Sequence, residues 1–157
     1  MNPSPRHTRC LLAALFATLL CPLHSARASK EDAHDEAMAL AEKSRKGFKV
    51  REDFWSGTCK PGEKKSVKIQ LFKGNEYWFW LGSDEDFGDI SFDVFDTAGN
   101  KISSEATSSD LAKGVRITPA RTGTYVAVFT ITLKPTPAGQ KIEKPAKIWW
   151  ALAYGWK

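Results

Sequence analysis

The sequence is poor in the residues that build reactive sites. Its 157 residues hold three histidines and three cysteines, and only His34 and Cys59 lie beyond residue 28. His34 falls on a stretch that reads as a polar helix, and no motif joins it to a serine or to Cys59 as a nucleophile–base pair. HExxH, a phosphate-binding loop and a glycine-rich dinucleotide fingerprint are absent. A pair of carboxylates that could hydrolyse a sugar is not distinguishable from surface acids. Together these absences argue against an enzyme. One cysteine after residue 28 also excludes an internal disulfide there. Cys59 is left as a buried small residue, a free thiol or an intermolecular link, and the lack of a neighbouring histidine in sequence favours burial.

Long apolar runs are scarce too. The one candidate, Cys10 to Leu23, is shorter than the ~20 residues that a membrane-spanning helix needs. Arg6 and Arg9 precede it and Ser25-Ala26-Arg27-Ala28 follows it, the layout of a cleavable secretory signal. Cleavage is expected after Ala28, giving a periplasmic or secreted product with no membrane span. Leu20 before Cys21 is too large for a lipoprotein signal, so a soluble product is preferred to a lipid-anchored one. Three arginines and no acid leave with that leader, so the formal charge of +5 falls to +2. No dense Lys/Arg stripe remains, which excludes nucleic acid as an expected partner.

What the chain does have is alternation. Ser29 to Lys46 reads as a helix, with Ser29 and Asp32 spaced as a capping box, basic residues at the far end and Gly47 as the stop. Its apolar side, Ala33, Ala37, Leu40, Ala41 and Ser44, is narrow and buries little area, so light packing or a spacer role is expected. From Phe54 the period changes to two. Val67, Ile69 and Leu71 alternate with polar residues, Lys73-Gly74-Asn75 turns, and Glu76 to Gly82 follows with both faces apolar. Asp89 to Asp96 alternates, Thr97 to Asn100 turns, Val115 and Ile117 mark a short strand, and Tyr125 to Leu133 a long one. Pro135 and Pro137 end it. A connector over Lys134 to Pro145 leads to a last strand, Ala146 to Trp156.

This pattern predicts a mainly β fold, an antiparallel, jelly-roll-like β-sandwich preceded by one N-terminal α-helix. The expected division is a leader over 1–28, a helical segment over 29–49 and the sandwich over 50–157. Lys64, Lys65, Lys141 and Lys144 near strand ends would discourage edge pairing.

Three segments carry a family likeness in their order and spacing: Gly74-Asn75-Glu76-Tyr77-Trp78-Phe79, Asp89 to Asp96 with Gly99-Asn100, and Thr122-Gly123-Thr124-Tyr125-Val126-Ala127-Val128. Over about residues 55–133 the chain resembles the bacterial pre-peptidase C-terminal domain, a jelly-roll-like sandwich found beside secreted proteases. The resemblance implies an accessory role in export, docking or substrate attachment. Each piece also has a local reading: Gly74 and Gly99 permit positive φ, Asp96 and Asn100 bond nearby backbone, and the Tyr125 hydroxyl reaches a loop carbonyl.

Two sets of residues are candidates for binding. The acidic loop Asp84-Glu85-Asp86-Phe87-Gly88-Asp89 offers Asp84, Asp86 and Asp89 to calcium, against the alternative of a solvated turn. The aromatics Trp149, Trp150, Tyr154, Trp78 and Trp80 could stack on a glycan or grip a peptide, against the alternative that most fill the core. Trp149 and Trp150 are adjacent and must point to opposite faces of a strand. The expectation is therefore an exported, non-catalytic accessory or binding module for a glycan or peptide. The alternative is an envelope-associated protein that docks to a partner through its helix and its Trp-rich end. The oligomeric state is not read from these patterns.

Overall fold

The computed structural model describes residues 29–86, 88–135 and 145–157; the expected leader and most of the proline-rich connector lie outside these residues. The chain begins with helix α1 (Lys30–Ser44). Its capping box forms as the spacing predicts. The Ser29 hydroxyl oxygen accepts the Asp32 N–H at 3.2 Å and its proton goes to the Asp32 carboxylate at 2.9 Å. At the other end the Arg45 N–H reaches the Ala41 carbonyl at 2.7 Å, and Gly47 turns the chain away at φ 81°.

Among the described residues nine strands follow, all paired antiparallel in two sheets. They are β1 (Lys49–Val50), β2 (Trp55–Cys59), β3 (Lys64–Leu71), β4 (Tyr77–Ser83), β5 (Gly88–Phe95), β6 (Glu105–Ser108), β7 (Ala112–Ile117), β8 (Gly123–Leu133) and β9 (Ile148–Trp156). The first sheet runs β1-β9-β4-β7-β6, with β2 also lying along β9, and the second runs β3-β8-β5. The antiparallel sandwich with one leading helix is thus the observed architecture. Strand β6 has no alternation of its own and was not expected. Strands β1 and β2 are short edge pieces that β9 templates, Val50 opposite Gly155 and Trp55 opposite Leu152.

Alternation along each strand builds the core between the sheets. The first sheet contributes Phe79, Leu81, Val115, Ile117 and Leu152, and the second Leu71, Phe92, Val94, Phe129 and Ile131. Tyr77 to Ser83 is buried throughout, because β4 is central in its sheet and its other face lies beneath α1. There a second cluster joins Ala37, Leu40 and Ala41 of the helix to Trp78, Trp80, Ala112 and Ala153.

This corrects the expectation of light helix packing. The alanine face is small, but the sheet beneath it is also cut back at Gly82, where a Cβ would overlap the Ala33 carbonyl oxygen and come within 2.6 Å of the Ala37 nitrogen. Small residues on both partners let the helix backbone come down onto the strand, so close contact replaces side-chain bulk. Among the described residues no helix is long and apolar enough to cross a membrane.

Candidate functional site

The aromatic residues do not form an outward row. Trp78 and Trp80 are 4% and 0% exposed, beneath the helix. Their rings lie parallel at 6.1 Å, and the Trp80 indole N–H donates to the Ser44 hydroxyl at 2.8 Å. Trp150 faces the other way, between the sheets, edge-on to Phe129 at 4.9 Å. Gly57 leaves the room it fills, since a Cβ there would stand 3.0 Å from the indole. Tyr154 is half-buried, stacked on Phe79 and tilted against Trp55, with the Arg51 guanidinium 5.9 Å from its ring centre. Trp149 shares the outer face of the first sheet with Trp78 and Trp80, but it is only half-buried and keeps part of its surface. The two-faced coverage of β4 and the inward parity of β9 explain this. A central strand under a helix has no solvent face to offer.

The proposed calcium ligands are likewise apart. Asp84 directly follows β4 and is tied to β9, where its Oδ1 accepts the Trp149 N–H at 2.9 Å. Its Oδ2 is buried without a hydrogen-bond partner among the described residues, and burial raises the carboxyl to about 6, against the opposing effect of the Trp149 N–H. Asp86 is an exposed loop residue, and Asp89 is carried outward by β5 in the opposite sheet. Among the described residues no group of three or more His, Cys, Asp or Glu side chains is placed to hold a metal ion. The loop therefore does not bring Asp84, Asp86 and Asp89 together, because the sheet change between β4 and β5 sends the carboxylates in different directions.

His34 and Cys59 are separated by the first sheet. The imidazole stacks on Phe54 at 3.9 Å on the helix side, whereas Cys59 is 3% exposed in the core between the sheets. Burial raises the Cys59 thiol above its ordinary range, with Glu63 adding to it. Such a thiol is held protonated and is a poor nucleophile.

What the fold does assemble is a cleft of about 440 Å³ at one end of the sandwich, between the loop after β5 and the loop before β8. Ile102, Thr118, Arg121, Thr122 and Tyr125 line it, with the 96–98 turn on one side. Both loops are fixed by their own hydrogen bonds. Asp96 accepts from the N–H groups of Ala98 at 2.9 Å and Asn100 at 2.8 Å, and from the Asn100 side-chain amide at 3.0 Å. These donors, the Asn100 side chain first, hold the Asp96 carboxyl below its usual range, and Arg121 nearby adds to the effect. Gly99 closes that turn at φ 83°.

On the facing loop the Tyr125 hydroxyl donates to the Arg121 carbonyl at 2.8 Å, as the local reading anticipates. The Thr122 hydroxyl accepts the Lys73 N–H at 3.0 Å, tying the loop to the turn after β3. Arg121 is exposed and forms no ion pair among the described residues. The sequence marks these two loops separately, as turn chemistry around Asp96 and around Thr122. Only the pairing of β5 with β8 places them side by side.

A scan against protein-family models finds no match for the chain, and a search of the curated proteins finds none either.

Proposed function

We propose that the protein is an exported, non-catalytic binding module of the pre-peptidase C-terminal kind, and that a short glycan or peptide binds in the cleft between the 96–102 and 118–125 loops. The observation that carries this reading is the cleft itself: about 440 Å³, framed by loops already fixed by hydrogen bonds. That volume falls within the ~300–1,000 Å³ of ordinary ligand sites, and fixed loops lower the entropic cost of binding. Threonine hydroxyls and the free Arg121 guanidinium offer donors to a ligand rich in hydroxyl and carbonyl oxygens. With Trp78, Trp80 and Trp150 enclosed, a stacking platform on the last strand has less support than these loops. The alternative, docking of the helix to an envelope partner, is also less well supported, because the alanine face is already covered by the first sheet.

The test is a titration of the purified protein with a panel of glycans and short peptides, followed residue by residue in NMR spectra. Saturable shifts confined to 96–102 and 118–125, lost in Arg121→Ala, are expected. The melting temperature of Arg121→Ala should match the parent, since an exposed, unpaired side chain changes stability by no more than about 0.5 kcal/mol. Saturable shifts centred on Trp149, or none from any ligand, would overturn the assignment.

A further inference from the structure

The second sheet has an outer side against which neither α1 nor any other described strand is packed. On its central strand, β8, alternation turns Val126 and Val128 outward, both half-buried. The outward positions of the flanking strands differ in sign: β3 shows Lys64 and Lys68, and β5 shows Asp89 and Asp93. The ladder register fixes their levels. Lys64 stands opposite Thr130, across from Ser91, and Lys68 stands opposite Val126, across from Phe95. Asp93 is level with Val128 and Asp89 with Thr132. The face therefore carries two cations with Ser66 and Gln70 on one flank, two valines in the middle row, and two anions with Ser91 and Phe95 on the other flank. Lys64 and Lys68 have no ion pair among the described residues, while Asp93 meets Lys101 at 2.6 Å from its own side.

We propose that this face is a contact between two copies of the chain, related by a two-fold axis that runs along β8. Rotation about that line exchanges the edges of the sheet without changing level, so β3 of each copy lies over β5 of the other. Valine then meets valine along the axis. Lys64, at the level of Ser91, falls between Asp89 and Asp93 of the other copy, each one same-face step of roughly 7 Å away along the strand. Lys68 falls one such step from Asp93. An axis across the strands would lay β3 on β3 and lysine on lysine, which like-charge repulsion disfavours. The contact is isologous, so each dimer has two lysine–aspartate strips. With so little apolar area in the middle row, the charges set partner and orientation, and the dimer is weak and salt-sensitive.

Sedimentation velocity over a concentration series at low and high salt tests this directly. The protein is expected to dimerise reversibly at low salt and to dissociate as salt is raised. Two variants, K64E/K68E and D89K/D93K, are each expected to weaken the dimer about tenfold or more, because each places like charges in both strips. Mixed together, they are expected to form a heterodimer, since one strip then sets the glutamates of one chain over the introduced lysines of the other, and the second strip keeps the native lysines over the native aspartates. Restoration by mixing cannot arise from misfolding, and matched melting curves for the two variants check the fold independently. A parent that is monomeric at every concentration overturns the proposal. So does a dimer indifferent to both charge reversals, or one in which K64E/K68E pairs better with the parent than with D89K/D93K.

Discussion

Asp84 is the residue most at odds with its surroundings. One oxygen is satisfied by the Trp149 N–H and the other is buried without a partner among the described residues. Burial raises its carboxyl to about 6 in the folded protein, whereas an unfolded aspartate titrates near ~3.9. The folded state thus binds a proton that the unfolded state has lost between those two values, and stability falls as pH rises through that window. The full gap corresponds to ~3 kcal/mol, and partial exposure of the group reduces it to about 1–2 kcal/mol.

Asp84→Asn keeps an oxygen for the Trp149 N–H and removes the charge. It should raise unfolding stability by about 1–2 kcal/mol at pH 7.5 and by almost nothing at pH 4. Urea melts of the two proteins at both pH values measure it, and an equal gain at both would assign the effect to packing instead. At this scale the sequence is legible where a residue acts on its neighbours. Ser29 with Asp32, Asp96 with Asn100, and Tyr125 with the Arg121 carbonyl all follow from local spacing. The misfit of Asp84 does not, because the strand end that buries it is supplied from residue 149.

The same division holds for elements. The helix, the long strands and the turns at Gly74 and Gly99 show in periodicity and glycine placement, and both glycines take positive φ as expected. Strand β6 and the edge pieces β1 and β2 are hidden because they borrow their order from partners rather than from alternation. The tight seat of α1 is hidden for a related reason: the glycine that permits it stands on β4, far along the chain from Ala33.

That seat gives a sharp expectation. Gly82→Ala places a methyl group onto helix backbone, an obstacle that no side-chain rotation relieves, and should cost about 2–4 kcal/mol in urea unfolding. Gly123→Ala is the matched control, since a Cβ there meets nothing within 4 Å, and it should be neutral or slightly stabilising. Equal effects at the two positions would mean that the helix can lift from the sheet without loss.

Across the whole molecule, the first sheet has a core on each side, one shared with the second sheet and one with the helix. The aromatic richness that suggests a binding surface is largely the material of these two cores. The small bulk of the alanine face of α1 is offset by Trp78 and Trp80, which complete its packing from below. Each indole buried removes roughly 200 Å² from water, which at ~25 cal/mol/Å² is about 5 kcal/mol. A helix covering two of them is integral to the fold rather than a spacer before it, so helix and sandwich should unfold as one unit.

Thermal transitions followed by far-ultraviolet circular dichroism and by tryptophan fluorescence are therefore expected to coincide. Deleting 29–46 uncovers the Trp78–Trp80 face, and the shortened chain should bind a hydrophobic dye and self-associate. If instead the helix melts first, or the shortened chain remains monomeric with an unchanged midpoint, the second core contributes nothing to cooperativity and the sandwich stands alone.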